Sequence, residues 1–276
     1  MNDLLREWSE SATAWREYSA TIRTMFTPLT TALIDEAGIS AGQSVLDVAG
    51  GPGEPSLTIA EAVGPTGSVT YTDAVAEMVA TAEAEAQRRG LANVSFQQSL
   101  AESLPFADDS FDATVSRLGV MLFADPPAAI REMLRVTKPQ GALCYVVWGP
   151  NERNPFTSLV TKVTSRYVEM PPTDPDAPGA FRFAEPGKLA RLLEEAGATN
   201  VRERELNFHI AAPISVEEFW RMRSVTSGTL REKLATLSPD KARQVGLEVQ
   251  ELVREFFPNN QMNFPAQMLI VSGRKP

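Results

Sequence analysis

The sequence predicts an α/β protein whose mostly parallel, seven-stranded sheet carries helices on both faces. The apolar run at residues 45–48 contains one acid, breaks into glycines and resumes as a helical pattern. That pattern is typical of a strand, a tight loop and a crossover helix. Further apolar runs alternate with helix-type periodicity along the chain. The run at residues 142–148 is apolar throughout, as a central strand covered on both faces should be.

The elements can be placed in order from local signals. Three strand–helix units are followed by a fourth and a fifth strand and by a last pair of strands that encloses helical segments. A helix is expected to begin at Thr27 as N-cap, with Pro28 in its first turn, and to end at Gly38. The strands after the first are predicted at residues 68–73, 94–98, 113–116, 142–148, 201–210 and 267–274. The later helices are predicted at residues 57–63, 75–89, 128–137, 155–168 and 186–196, and two more after Ser215 and Ser238.

Charge and residue usage exclude several classes of site. The chain has 26 basic and 35 acidic residues among 276, so nucleic acid is not expected as a partner. One cysteine, Cys144, and one histidine, His209, allow neither a disulfide framework nor a cysteine- or histidine-based metal site, and no metal is expected. No apolar run reaches the roughly 18 residues that span a bilayer, and the first residues open no signal peptide. We therefore expect a cytoplasmic protein without a membrane span.

The glycine loop after the first strand fits two nucleotide-binding templates. The dinucleotide template G-x-G-x-x-G is matched by Gly51 and Gly53 only with Ser56 in its third place. The template D-x-G-x-G-x-G is matched by Asp47, Gly51 and Gly53, with Ala49 in the first glycine position. A third interpretation is a glycine turn that only joins a strand to a helix.

The second strand ends on an acid at the distance that both templates require. Asp73 follows Gly53 by 20 positions. At about this interval a carboxylate of the second strand reaches a ribose diol. The acid therefore supports a bound nucleoside without choosing between the templates, and an aspartate in a surface turn is the alternative.

Four motifs, taken together, resemble one known family. They are V-L-D-V-A-G-G-P-G at residues 45–53, S-L-A-E-S-L-P-F at 99–106, D-S-F-D-A-T-V at 109–115 and R-V-T-K-P-Q-G at 135–141. Their types and order are similar to those of the class I S-adenosylmethionine (SAM)-dependent methyltransferases, in the UbiE-like or type 11 branch. Leu100 departs from the pattern, because that branch usually has there the aspartate that accepts from the adenine amino group.

The resemblance implies a Rossmann-like class I methyltransferase fold that binds SAM and releases S-adenosylhomocysteine (SAH). It implies transfer of a methyl group to an O, N or C nucleophile of a small molecule, a reaction that mostly requires positioning in a water-poor site. The glycine loop and the end of the fourth strand would enclose the methionyl part, and the acid of the second strand would take the ribose hydroxyls. The cofactor-binding residues implied in this way are Asp47, Ala49, Gly50, Gly51, Asp73, Ala74, Met78, Ser99, Leu100, Ala101, Ser116 and Arg117.

The same interpretation divides the chain into a core and a helical cap. The predicted parts are an N-terminal helical cap or lid (1–40), a SAM-binding Rossmann-like core (41–149), an insertion (150–185), a core helix and strand (186–210), a helical cap insertion (211–264) and the last core strand (265–276).

Fewer sequence signals point to the residues that would bind the methyl acceptor. The cap segments are rich in Trp, Phe, Met and Leu, which suggests an apolar or aromatic small molecule. Trp15, Tyr18, Trp148 and His209 are candidates for the substrate wall. His209 is also the candidate general base, because an imidazole can take a proton near neutral pH.

Three functions remain open from the sequence. A small-molecule SAM methyltransferase is favoured, and a homodimer is compatible with it. The second is a SAM-binding protein with other chemistry or none. The third is an NAD(P)-dependent oxidoreductase, but a short-chain dehydrogenase would need a Tyr-x-x-x-Lys pair, and no lysine follows any of the four tyrosines at that spacing.

Overall fold

The structure is a computed structural model that describes residues 3–169 and 174–276. Part of the long loop predicted in the 150–185 insertion, at residues 170–173, lies outside the described residues. The strands within the described ranges are β1 (Ser44–Val48), β2 (Ser68–Asp73), β3 (Val94–Gln98), β4 (Phe111–Arg117), β5 (Thr137–Trp148), β6 (Thr199–Ala212) and β7 (Met262–Arg274).

These seven strands form one sheet in the order β3-β2-β1-β4-β5-β7-β6. The neighbours from β3 to β5 are parallel to one another, whereas β7 is antiparallel to β5. Residues 141–148 of β5 are all buried, as a central strand requires. The predicted α/β class and the mostly parallel, seven-stranded sheet are confirmed.

Strand β1 lies where the strand order reverses. β2 is its neighbour on one side and β4 on the other. In open α/β sheets, ligands bind at the carboxyl ends of the strands at such a point. Asp47 of β1 is in register with Tyr71 of β2 and Val115 of β4, so the ends of the three strands meet.

The helices were predicted well where a local cap marks their ends. Gly90 ends a helix in left-handed backbone with φ 69°, and the Ser215 hydroxyl oxygen accepts from the Glu218 N–H at 3.2 Å at the start of another. The helices of the described residues are α1 (Asp3–Glu17), α2 (Ser19–Ala37), α3 (Ser56–Val63), α4 (Ala76–Arg89), α5 (Pro126–Val136), α6 (Pro155–Thr164), α7 (Lys188–Glu195), α8 (Val216–Thr226), α9 (Gly228–Ala235) and α10 (Pro239–Leu252).

The predicted helix start at Thr27 is wrong. Helix α2 begins at Ser19 and continues through Pro28 in its interior. A proline there removes one intrahelical hydrogen bond. Leu29 and Leu33 after it are fully buried, so burial of the apolar face outweighs the lost bond. The helix predicted at 155–168 ends earlier, at Thr164, and α9 was not predicted.

Two compact units divide the chain. The helical unit comprises Met1–Phe26, Pro150–Asp174 and Asn207–Gln267, and the sheet unit comprises Thr27–Gly149, Pro175–Leu206 and Met268–Pro276. The cap and lid roles given to parts of the chain stay predictions. Over residues 3–169 and 174–276, no helix combines the length and the apolar character needed to cross a bilayer.

Candidate functional site

The loop after β1 passes through left-handed backbone at three residues. Ala49 has a φ of 61°, Gly51 of 55° and Gly53 of 117°. Glycine adopts such angles freely, whereas at Ala49 they cost about 1 kcal/mol or more. Ala49 stands in the first glycine position of D-x-G-x-G-x-G, and its backbone conformation explains why that template has a glycine there.

Gly50 and Gly51 lack a side chain for different reasons. A Cβ at Gly50 would lie 2.5 Å from Cε2 of Tyr71 and 2.8 Å from Oδ2 of Asp47, so close packing excludes a larger residue. A Cβ at Gly51 would meet no described atom within 4 Å. The space beside Gly51 is therefore open, and a ligand can approach the backbone closely there.

Asp73, at the end of β2, ties the glycine loop to the start of α4. Its Oδ2 accepts from the Gly51 N–H at 3.0 Å, and its Oδ1 accepts from the Val75 N–H at 2.9 Å. Burial raises the pKa of Asp73, and these backbone hydrogen bonds oppose the rise. Each carboxylate oxygen still has a lone pair beyond the one used, so both can accept from a ligand hydroxyl.

Asp47 is a fully buried acid beneath the same loop. Its Oδ2 accepts from the Ser56 hydroxyl at 2.5 Å and from the Ser56 N–H at 3.1 Å. Burial raises the pKa of Asp47 to about 7, while the Ser56 hydrogen bond and the Arg117 guanidinium lower it. Burial therefore disfavours the ionised form of Asp47 in the chain by itself, and a cationic ligand would favour it.

Arg117 and Ser116 close the site at the end of β4. The Arg117 guanidinium donates to the Thr30 hydroxyl at 2.7 Å and to the Glu54 carbonyl at 3.0 Å, so it braces α2 against the glycine loop. Burial lowers its pKa, and Glu54 and Asp47 raise it. Ser116 is fully buried.

The predicted adenine side is partly exposed and partly packed away. The Ser99 N–H donates to the Asp73 backbone carbonyl at 3.0 Å, which joins the segment after β3 to the end of β2. The Ala74 carbonyl accepts from a side chain of β3. Leu100 is 53% exposed, whereas Met78 is 1% and Ala101 is 6% exposed. Met78 and Ala101 would therefore have to shift to touch a ligand, while Leu100 is already accessible.

Two buried oxygen atoms near the strand ends indicate which ligand groups could bind at the site. Oδ1 of Asp47 and Oγ of Ser116 have no hydrogen-bond partner within the part of the chain that the structure describes. Buried polar atoms normally have partners. A ligand ammonium or hydroxyl group would supply the missing donors. With the Asp73 carboxylate and the space beside Gly51, the residues present fit a nucleoside that carries a cationic tail.

Comparison with known protein families identifies the family of the chain. The methyltransferase domain family matches residues 39–197, which is more than half of the 276 residues. The chain belongs to this family. The resemblance predicted from the motifs is thereby confirmed.

Curated relatives of this methyltransferase-family chain match it over part of its length. An uncharacterised protein of Mycobacterium tuberculosis is 39% identical over 133 residues, 48% of this chain and 47% of that protein. The ubiquinone/menaquinone biosynthesis C-methyltransferase UbiE of Hahella chejuensis is 38% identical over 133 residues, 48% of this chain and 53% of that protein. The chain thus spans about half the length of these curated relatives.

Similarity of fold extends over more of the methyltransferase-family chain. The crystal structure of the YcgJ protein of Bacillus subtilis matches it with a TM-score of 0.57 and 24% identity, covering 89% of this chain and 97% of that one. At that identity the likeness supports the fold alone.

The predicted acceptor residues of the methyltransferase-family chain lie in two different units. In the helical unit, Trp15 donates from Nε1 to the Thr226 carbonyl at 3.0 Å, and Tyr18 is half-buried on the next turn of the chain. His209 is exposed in the same unit, with Nδ1 2.8 Å from Oδ1 of Asn263. Trp148 belongs to the sheet unit and is buried there.

The sequence analysis missed two residues that shape the candidate site. The Tyr71 hydroxyl donates to the Gly51 carbonyl at 2.5 Å, and its buried ring packs against Gly50. Tyr71 and Asp73 are two positions apart on one strand and so share a face, a signal that the sequence did contain. Ser56 was noted only as a departure from the dinucleotide template, yet it is the partner of Asp47.

Proposed function

We propose that the chain transfers the methyl group of SAM to a nucleophile of a small molecule. The observation that carries the proposal is the open space beside Gly51, whose N–H is bonded to the ribose-binding candidate Asp73. The buried Oδ1 of Asp47, which has no partner among the described residues, supports it. Family membership and the fold support it. SAM, when bound, supplies a methyl group on a sulfonium that is already an activated leaving group.

The residues of the chain have the task of binding and orientation. Asp73 would accept from the two ribose hydroxyls, with Ser99, Leu100 and Ala74 along the adenine edge. Asp47 and the backbone at Gly51 would face the cationic end of the cofactor, where a negative charge is favourable in a buried site. Holding the reacting atoms about 3 to 3.5 Å apart in a dry site accounts for most of the acceleration such a transfer needs.

Arg117 would act on the cofactor carboxylate. Its guanidinium is held beside the glycine loop by the Glu54 carbonyl and the Thr30 hydroxyl. A guanidinium presents its N–H donors in one plane, a geometry that suits the two oxygens of a carboxylate. The remaining implied residues, Ala49, Gly50, Met78, Ala101 and Ser116, would shape the cofactor slot rather than donate to it.

The acceptor is proposed to be an apolar or aromatic small molecule that is methylated at O, N or C. The name of the Hahella relative, a C-methyltransferase, favours carbon. His209 stays a prediction as the base, and Trp15, Tyr18 and Trp148 stay predictions for the substrate wall. The net charge of −9 argues against nucleic acid as the acceptor. A cytoplasmic location and a homodimer are proposed from the sequence alone.

Binding and turnover test this function separately. Calorimetry with SAH, NADH and NADPH should show binding of SAH alone, and wild-type protein incubated with SAM and a panel of phenols, quinols and aryl amines should release SAH. Asp73→Ala should lose SAH binding, whereas Asp240→Asn, an exposed acid in the helical unit, should retain it. Binding of NADH instead of SAH would favour an oxidoreductase. Tight SAH binding with no turnover of any acceptor would favour the SAM-binding protein without methyl transfer.

A further inference from the structure

Arg223 of α8 holds its charge in an unusual position within the helical unit. Its Nε is buried and has no hydrogen-bond partner, and its guanidinium makes no ion pair with any residue in the described ranges. Its Cζ lies 4.7 Å from the centroid of the Phe156 ring. The residue as a whole is half-buried, so part of its surface remains accessible to a ligand.

Other shielded arginines of the chain have polar partners. Arg89 pairs with Glu54 at 2.8 Å and with Glu85 at 2.8 Å, and Arg117 donates to Thr30 and to the Glu54 carbonyl. Arg223 shows the opposite arrangement, because an aromatic face is its neighbour where a carboxylate would be expected. Arg89 and Arg117 thus have polar partners, whereas Nε of Arg223 has none among the described residues.

The energetics of Arg223 indicate a missing anion. A buried N–H donor of a charged group that has no acceptor destabilises the folded chain, and the cation–π contact with Phe156 offsets only part of that cost. Burial lowers the pKa of Arg223 to about 10, so the group is still charged at neutral pH. A charged side chain whose buried Nε–H has no acceptor in the described residues is typical of a binding site rather than of a structural core.

The surroundings of Arg223 indicate the rest of the ligand. Phe219 and Thr226 lie one turn before and one turn after it on the same face of α8. The ring of Phe219 contacts that of Phe156 edge-on, with centroids 5.6 Å apart. At the other end, the Thr226 carbonyl accepts from Nε1 of Trp15, one of the acceptor residues predicted from the sequence. The guanidinium therefore lies over one aromatic ring, Phe156, which itself packs against a second, Phe219.

We propose that Arg223 binds the carboxylate of an aromatic acid within the helical unit, a site beyond the function proposed above. A planar guanidinium presents two parallel N–H groups that match the two oxygens of a carboxylate. A carboxylate carries a single charge, so its transfer into an aromatic environment costs less than that of a doubly charged phosphate. The flat body of the acid would stack on or against the rings beside Arg223.

Matched probes test the proposal on the full-length chain. Benzoate, benzamide and phenyl phosphate are titrated by calorimetry into wild type, Arg223→Gln and the control Arg221→Gln, whose parent residue is exposed on the same helix. Wild type and Arg221→Gln should bind benzoate more tightly than benzamide or phenyl phosphate. In Arg223→Gln the benzoate affinity should fall on the order of tenfold or more, with benzamide unchanged.

Stability measurements separate a binding role from a structural role. Arg223→Met removes a charge that lacks a partner and keeps apolar volume beside Phe156, so its Tm should equal or exceed that of wild type. A marked fall in Tm with benzoate binding retained would overturn the proposal. So would benzoate that binds no better than benzamide in wild type, equal benzoate affinity in Arg223→Gln, or tighter binding of phenyl phosphate.

The proposed methyl transfer and the Arg223 site fail in different ways. SAH affinity reports on the sheet unit and should be the same in wild type, Arg223→Gln and Arg221→Gln. Wild type that binds benzoate but not SAH would contradict the methyl transfer and leave the carboxylate site in place. Wild type that binds SAH but shows no preference for benzoate would contradict the Arg223 assignment alone.

Discussion

The Gly51 N–H donates to Oδ2 of Asp73 at 3.0 Å, across the ends of two neighbouring strands. The same carboxylate accepts from Val75 at the start of α4. One side chain therefore holds the glycine loop in place and, in the proposed function, would also accept from a ribose. Binding and local stability are coupled at this residue.

Asp73→Ala should lose cofactor affinity and some stability together. Removal of the carboxylate deletes the proposed ribose contact and leaves two backbone N–H groups without their acceptor. We expect SAH affinity to fall by at least about tenfold and the free energy of unfolding to fall by about 1 to 3 kcal/mol. Calorimetry and urea denaturation measure the two effects, with Asp240→Asn as the control. Unchanged SAH affinity would remove the ribose assignment.

Leu100→Asp should bind SAH as tightly as wild type or more tightly. Leu100 is 53% exposed, so the substitution should alter the free energy of unfolding by less than about 0.5 kcal/mol. It also introduces the carboxylate that related methyltransferases usually place near the adenine amino group. Leu247→Asp, at a residue 56% exposed in the helical unit, is the control and should leave SAH affinity unchanged. A several-fold loss in Leu100→Asp would mean that the adenine slot is built differently.

Asp47 should make the stability of the chain depend on pH. Because burial raises its pKa from 3.8 to about 7, the folded chain binds a proton that the unfolded chain releases. This stabilisation is fully present below pH 3.8 and is lost as the pH rises through 7. Relative to Asp47→Asn, wild type should therefore lose about 2 to 3 kcal/mol of unfolding free energy between pH 5 and pH 8.

Denaturant titrations at intervals over that range measure the effect. Asp112→Asn is the control: burial raises the pKa of Asp112, but the Lys138 contact and the Ser44 N–H together outweigh it and lower the pKa, so this group titrates below the range. A wild-type profile parallel to that of Asp47→Asn would show that Asp47 is already ionised at pH 5.

Ala49→Gly should stabilise the chain. Ala49 holds a φ of 61°, and glycine adopts that conformation without the steric cost of a Cβ. The free energy of unfolding should rise by up to about 1 kcal/mol. Ala86→Gly, in the last turn of α4, should instead lower it by about 1 kcal/mol or more, since the backbone there is helical and the methyl group is buried. Urea denaturation of the two variants distinguishes strain at one residue from a general effect of glycine. Loss of stability in Ala49→Gly would show that the methyl group packs usefully.

Local signals explain how much of the fold was predictable. The limits of β2 and β3 were predicted to the residue, because glycines and an acid mark their ends in the sequence. The end of α4 followed from Gly90 in the same way. Helix α2 was misread at Pro28, since the burial that carries a helix through a proline depends on residues far away in the chain.

The candidate site shows the same division. The glycine loop, Asp73 and the exposed Leu100 were visible as motifs, because they are sets of neighbouring residues at fixed spacing. The raised pKa of Asp47, the Tyr71 support beneath Gly50 and the unpaired guanidinium of Arg223 were not visible. Each depends on which groups surround a side chain and how much water they exclude. The sequence by itself determined the family, the fold class and the glycine loop proposed to receive a nucleoside. Only the tertiary structure decided the order of the strands and which buried charges have partners, because strand pairing and solvation are properties of the folded surroundings.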